Sequence, residues 1–432
     1  MLTTVLTATL GAVLMCWQAN RKWVVQKGQR LQARYDAESA MLQTLHGWRE
    51  EPPINPPGEI VVTPVALPWG RPVEVAHFTW GLLRKICIPG SKEGGFPSLE
   101  RLCAPRPDSI FDNALVLAPE VSELVVCGDT RVIGAVRVGP RGVKSAIMDG
   151  RPYSGDSLIF GEIIASAEDQ RPAINREFPA SLFRFWGDLL FQADLPRFNS
   201  GNFRDTLHLG DTLGSGKIPV FEVDPDYLEN QRGQISGPAI LVCRSALRLT
   251  QKLTLDHIQL ISLGPLFLGD SLQCRQSIFF SPEALFLNHL WGATGQFFSQ
   301  KGITISASRL AFPSIAVVCA REDGTFLNLS ENSLFEGTLA VFNTGQASTG
   351  LTISAGSRLR GAACSDGEIN LAGEVAGSVV CQKLHFYRSP NHYFNRLLDA
   401  RINRREYALP ILAGGLFDSG DSPWQVVDHR WP

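Results

Sequence analysis

The chain reads as a mainly β protein: a parallel β-helix (β-solenoid) with an N-terminal transmembrane helix and stalk, a helical insert and a C-terminal helical cap. Three observations predict this. From about residue 237, short apolar clusters recur between Gly, Ser, Asn and Asp. The first twenty residues carry no charged side chain. Gly and Pro number 40 and 27 of 432 residues, a turn-rich β composition. Hydrophobic residues at 44% and charged ones at 19% describe a folded chain rather than a disordered one. Lys+Arg at 40 against Asp+Glu at 42 leaves a net charge of −2, so no global field attracts nucleic acid.

Residues 1–20, MLTTVLTATLGAVLMCWQAN, predict a transmembrane helix. Twenty helical residues span about 30 Å, a bilayer core. Trp17 stands where an interfacial anchor would, and threonine hydroxyls can bond to carbonyls within the helix. A cleaved signal peptide fits less well, since no basic region precedes the run and no small-x-small site follows. Residues 21–50 predict a helical stalk to about Trp48, in which only Gly28 before Gly47 weakens the helix, by about 1 kcal/mol. Leu31, Tyr35, Leu42 and Leu45 fall near one face. Pro52, Pro53, Pro56 and Pro57 make 51–58 a stiff linker. Residues 59–123 read as a β-rich subdomain.

Residues 124–167, with ELVVCGDTRVIGAVRVG and LIFGEIIAS, have solenoid texture and are expected to form the first rungs. In the insert, 168–202, Leu182, Phe183, Trp186, Leu189 and Leu190 trace one helical face that packs on the solenoid flank. Residues 203–390 hold the repeat: apolar, any, apolar, small or polar. It starts at Leu253, Ile278, Ile303, Leu327, Leu351 and Ile369, in steps of 25, 25, 24, 24 and 18. Period-two alternation makes each piece a half-buried strand, and a near-constant step stacks them. Residues 391–432 are the cap and tail, with Asn391–Asn403 expected to be helical.

The motifs Cys127-Gly128-Asp129-Thr130, Gly134, Gly142-Val143-Lys144, Ile147, Gly150, Tyr153, Gly155, Leu158, Gly161-x-Ile163 and Ser166 form one block. Tyr393-x-Asn395-x-Leu397-Leu398-Asp399-x-x-Ile402 forms another. With Ala37-Glu38-Ser39-Ala40 in the stalk, they resemble an uncharacterised family of bacterial single-pass membrane proteins. Its members have a minor-pilin-like N-terminal helix and a β-helix ectodomain. The resemblance implies an extracytoplasmic, periplasmic bulk, possible pilus or secretion relatedness, and no catalytic residues to transfer. The five basic residues Arg21, Lys22, Lys27, Arg30 and Arg34 argue for the opposite side by the positive-inside rule. Basic residues added by an upstream start would reverse that count.

No reaction is legible. The position between the buried apolar pair of each repeat reads Thr254, Phe279, Thr304, Asn328, Thr352 and Asn370, without a carboxylate or base. GDTLGSGKI at 210–218 has Asp211 and Ile218 where a phosphate loop needs Gly and a hydroxyl, and reads as a turn. Glu222, Asp224, Asp226 and Glu229 are too few for a Ca²⁺ site. No histidine spacing supports zinc, and Arg401, Arg404 and Arg405 read as a solvated helix face. Cys16, Cys87, Cys103, Cys127, Cys243, Cys274, Cys319, Cys364 and Cys381 contain no Cys-x-x-Cys and read as core residues, with a Cys364–Cys381 bridge left open. The expectation is therefore a membrane-anchored structural or interaction protein of the cell envelope, with no catalytic, cofactor or metal residues. It attaches through residues 1–20 and meets an unidentified protein or glycan partner, not nucleic acid. The rival readings are a β-helix polysaccharide lyase or hydrolase, a glycan-binding protein, and a cytoplasmic membrane-bound scaffold.

Overall fold

The computed structural model describes residues 2–50, 56–70, 72–90, 98–121, 123–169, 171–198, 206–209, 216–320, 324–343, 349–407, 409–412, 415–417 and 423–427. Strand makes up 50% of the chain and helix 19%, and the largest unit is a parallel sheet of many strands. The chain is mainly β.

One helix, α1 (Leu2–Glu50), runs through both the expected membrane segment and the stalk. Proline is absent until Pro52, and the intervening residues are mostly good helix formers. Among the described residues no helix is long and apolar enough to cross a membrane. Thr, Gln18 and Asn20 dilute the apolar run at the start of α1. The linker residues 51–55 lie outside the described residues.

The C-terminal end of α1 lies on an antiparallel sheet. Its strands are β1 (Ile60–Val65), β2 (Val73–Trp80), β3 (Leu83–Ile88) and β4 (Leu99–Pro105), followed in space by Trp424–Val426. Ala37, Ala40, Met41, Leu45 and Trp48 pack there against Val75, Ile86, Ile88 and Cys103. This is not the expected stalk face: Leu31, Tyr35 and Leu42 are exposed. The small Ala37 and Ala40 side chains let the helix backbone approach the sheet, whereas the leucine stripe has no such seat. Strand alternation sends Ala76, Phe78 and Trp80 to the other side, into a core shared with the parallel strands.

The parallel sheet is organised in three ladders of strands paired in register. In the first, consecutive partners are Phe221, Leu241, Leu260, Phe279, Phe297, Ala316, Leu339, Ala363 and Val379. The second includes Leu207, Ile235, Leu255 and Cys274, and further along Leu310, Phe335, Leu359, Val375 and Ile402. The third runs Leu247, Leu266, Leu285, Ile303, Leu327, Leu351, Ile369 and Leu384. Side chains from all three meet in one continuous apolar core. Where a long strand bends between ladders, Gly337, Gly361 and Gly377 align in register at φ of 144°, 145° and 151°. A Cβ on Gly361 would lie 1.8 Å from the Gly337 carbonyl oxygen, so only glycine fits.

These registers correct the repeat. Ile303, Leu327, Leu351 and Ile369 are equivalent, as expected, but Leu253 and Ile278 belong to other ladders. The residue in register before Ile303 is Leu285, eighteen residues earlier. All three ladders carry the same apolar-x-apolar pattern, so the first step of 25 passes from the second ladder to the first and the next from the first to the third. Phe279 consequently faces the core, stacked 5.4 Å from Phe297, rather than outward.

The placement of 124–167 is also corrected. These residues do not precede the repeat in space but follow it. Leu115–Leu117 pairs with Val379–Cys381, then with Val136–Val138, which pairs with Ile163–Ala165. The expected C-terminal helix is absent as well. Asn391–Phe394, Arg396–Leu398 and Arg401–Asn403 are strands, and only Arg404–Glu406 forms a short 3-10 turn. Asn395 and Asp399 adopt φ of 56° and 57°, which breaks any helix there. The last repeat strand is thus covered by the chain's own early segment.

The insert forms α2 (Glu177–Phe191), with the five expected apolar residues buried. It packs on the outer side of the first ladder, where the Phe183 ring meets Phe280 edge-on at 5.2 Å and Trp186 lies 4.9 Å from Phe298. At the opposite end from 115–165, α3 (Pro225–Glu229) contacts Leu247–Leu249.

Candidate functional site

A cavity of about 450 Å³ opens where the segment before α2 crosses the parallel sheet. Its floor includes Phe342, Cys364, Val380 and Phe417, and its walls carry Asp169, Arg171, Arg176 and Asp366. Arg171 grips Asp169 through Nε, at 3.0 and 3.2 Å from the two oxygens, and through Nη2 at 2.6 Å. Hydrogen bonding from Arg171 holds the Asp169 carboxyl below its ordinary range. Asp366 stands where the strand pairing shifts between Ser365 and Glu368. Its two oxygens accept the Asn343 N–H at 3.0 and 2.9 Å, and Arg176 approaches at 3.4 Å. Burial pushes this carboxyl up, against the pull of the Asn343 N–H and Arg176. The walls therefore offer charges already paired, acceptor beside donor, above an aromatic floor. Nothing in the sequence singles out these four residues. They come from two segments almost 200 positions apart, and only the fold brings them together.

The two motif blocks also meet. Asp399 accepts the Asp129 N–H at 2.9 Å and pairs with Arg151. Thr130 Oγ1 donates to the carbonyl of Cys127 at 2.7 Å or Leu397 at 3.1 Å. Tyr393 donates to Asp149 at 3.2 Å, and Asn395 Oδ1 accepts the Leu384 N–H at 3.2 Å. Gly128, at φ 58°, leaves space that a Cβ would contest with Asp399, 2.3 Å away. The polar groups of these motifs hold one another, and the cluster works as a clasp between the early and late segments.

The remaining candidates have structural employment. Asp224 caps α3, accepting the Asp226 N–H at 2.9 Å, while Glu229 accepts the Arg248 N–H at 2.6 Å and Glu222 pairs with Arg244 at 3.3 Å. Residues 210–215 of the loop-like motif lie outside the described residues. Gly216 continues it at φ 64° as a tether that accepts the Ile60 N–H at 2.9 Å. Among the described residues no group of three or more His, Cys, Asp or Glu could hold a metal ion. Arg404 is a staple rather than part of a helix face, donating to the Phe111 and Tyr407 carbonyls at 2.7 and 3.2 Å. All nine cysteines are free, and all but Cys16 are buried. Cys364 and Cys381 sit in different cores, on opposite faces of one sheet, which excludes a bridge. Burial pushes the thiol pKa of both well above the ordinary value.

Two surfaces face outward. On the third ladder the corrected outward row is Arg248, Phe267, Phe286, Thr304, Asn328, Thr352 and Asn370. Arg248 lies over Phe267 at 4.7 Å, and Phe267 stacks on Phe286 at 4.8 Å. The other surface is the N-terminal part of α1, where Val5, Leu6, Leu10, Val13, Leu14, Met15 and Trp17 are each more than half exposed. No family model, no curated protein and no solved structure matches this chain.

Proposed function

We propose that the protein is a membrane-anchored interaction protein of the bacterial cell envelope, without catalysis. In this reading the three ladders are the faces of a capped parallel β-helix, held at the membrane by α1. The observation that carries the reading is the projecting half of α1. A helical segment that carries no charge through residue 20 and leaves Val5, Leu6, Leu10, Val13, Leu14, Met15 and Trp17 uncovered is served by an apolar surrounding, which the described residues do not supply. The dilution by threonine is partly offset within the helix. Thr7 Oγ1 donates to the Thr3 carbonyl at 2.5 Å, and Thr9 Oγ1 lies 3.0 and 2.9 Å from those of Val5 and Leu6. Hydroxyls bonded in this way cost less to place in lipid. The other end of α1, seated on the antiparallel sheet, would transmit the anchorage to the folded body.

Removing residues 2–20 tests this directly. The full chain should remain with membranes through a carbonate wash and the shortened chain should be released; equal retention refutes the anchor. The side is proposed as extracytoplasmic, in line with the minor-pilin-like resemblance and a pilus- or secretion-related role. Because Cys16 alone among the cysteines is exposed, Cys16→Ser with Thr250→Cys gives a clean single-site label. An impermeant maleimide should label Thr250→Cys in intact cells with a permeabilised outer envelope. Labelling only after lysis would make the protein a cytoplasmic scaffold.

For the partner, the cavity favours a neutral, polyhydroxylated glycan. Each sugar hydroxyl both donates and accepts, matching Asp169 beside Arg171, while the balanced charge selects against strong anions and cations.

A further inference from the structure

Resting on the membrane reading, we infer that the stretch of α1 from Trp17 to Arg30 is a collar that binds anionic phospholipid head groups. Arg21, Lys22, Lys27 and Arg30 are exposed, and among the described residues none of them forms an ion pair. Arg34 is excluded because it pairs with Glu38 at 2.9 Å. No acidic residue precedes Asp36, which is itself occupied by Gln32 at 2.7 Å and Trp69 at 2.9 Å. The four cations thus follow directly on the uncharged segment, with no counter-charge paired to them among the described residues.

Their arrangement selects the occupant. At about 100° per residue, positions 21, 22, 27 and 30 point to four different sides of the helix. A protein groove would meet one side; a lipid surface encircles an inserted helix and meets all of them. Between Arg21 and Arg30 the helix rises about 14 Å. Arg21 and Lys22 therefore fall at head-group level, Lys27 stands within roughly a Debye length, 8–10 Å, of it, and Arg30, about 12–14 Å out, lies in the weaker outer part of the same field. Two of the cations are held beside tryptophans: the Arg21 guanidinium lies 5.7 Å from the Trp17 ring and Lys27 Nζ 4.9 Å from that of Trp23. Each pair presents an indole to the interface and a charge to the phosphates, the chemistry of an interfacial belt.

The test is partition of the purified full chain onto phosphatidylcholine vesicles, with and without about a third phosphatidylglycerol. At low salt the anionic vesicles should bind at least about tenfold more tightly. That preference should collapse in about 0.5 M salt. The variant Arg21→Gln/Lys22→Gln/Lys27→Gln/Arg30→Gln should bind neutral vesicles as the parent does and lose the preference. These side chains are exposed, so both proteins should melt at the same temperature. Equal, salt-insensitive binding of the parent to both vesicles would overturn the collar and leave the anchor standing. Binding to neither would overturn both.

Discussion

Gln296 is 3% exposed, yet both its amide oxygen and its amide nitrogen are hydrogen-bonded. Its Oε1 accepts the Leu82 N–H and its Nε2 donates to the Trp80 carbonyl, both at 2.7 Å, pinning the β2–β3 turn to the first ladder. Trp80 Nε1 returns a bond of 2.7 Å to the Gln276 carbonyl. Gln296→Leu should cost about 2–4 kcal/mol, because two buried backbone groups lose their partners. Thr304→Ala, on the outward row, should stay within about 0.5 kcal/mol; urea unfolding compares the two. His77, packed 5.4 Å from Trp48 at the α1 seat, supplies a pH dependence. Burial, aided by Arg84, lowers its pKa from 6.5 to about 4. Between those values the unfolded chain binds a proton that the folded chain does not, so stability falls as pH falls. From pH 7 to pH 5 the loss should be about 2 kcal/mol, and His77→Leu should remove that part of the slope. An unchanged slope in that variant would show that His77 is not the group responsible.

Among the elements, α2 is the clearest case of a helix held by one side. Its apolar stripe and its position on the flank of the strands were readable from spacing, but the residues that build its seat were not. Phe280 and Phe298 come from strands about a hundred residues away and build the surface that Trp186 fills. Trp186 Nε1 also donates to Gln259 Oε1 at 3.1 Å. Trp186→Ala should therefore cost about 3–5 kcal/mol. One residue further, Gly187 has no neighbour within 4 Å of where a Cβ would stand. Gly187→Ala should stabilise by about 0.5–1 kcal/mol, since it removes helix-opposing entropy and meets no clash. Opposite signs from adjacent positions, read by thermal unfolding, would verify the face assignment.

At the scale of the molecule, the far end of the parallel strands is closed by the chain itself. Val379–Cys381 would be an open parallel edge, a template for another chain, if Leu115–Leu117 did not pair with it. The clasp around Asp399 sits at this end. Asp399→Ala should loosen 124–138 and 396–403 together, raising amide exchange about ten- to a hundredfold in both segments while the first-ladder strands near Phe279 and Phe297 stay protected. Exchange rising in one segment alone would mean that they do not form a unit.

Local patterns suffice where one strand or helix reports its own burial. The mainly β class, the α2 stripe, the equivalence of 303, 327, 351 and 369, and the buried cysteines all follow from alternation, helical spacing and side-chain polarity within short windows. Those patterns say nothing about which of three similar apolar columns a strand joins. That is why Leu253 and Ile278 were mistaken for equivalents of Ile303. Nor do they reveal pairings across 270 residues, where the early segment closes the end assigned to a helix. The cavity of Asp169, Arg171, Arg176 and Asp366 belongs to the same class. Each residue is ordinary in its own segment, and only the tertiary packing places their charges side by side in a partly desolvated space.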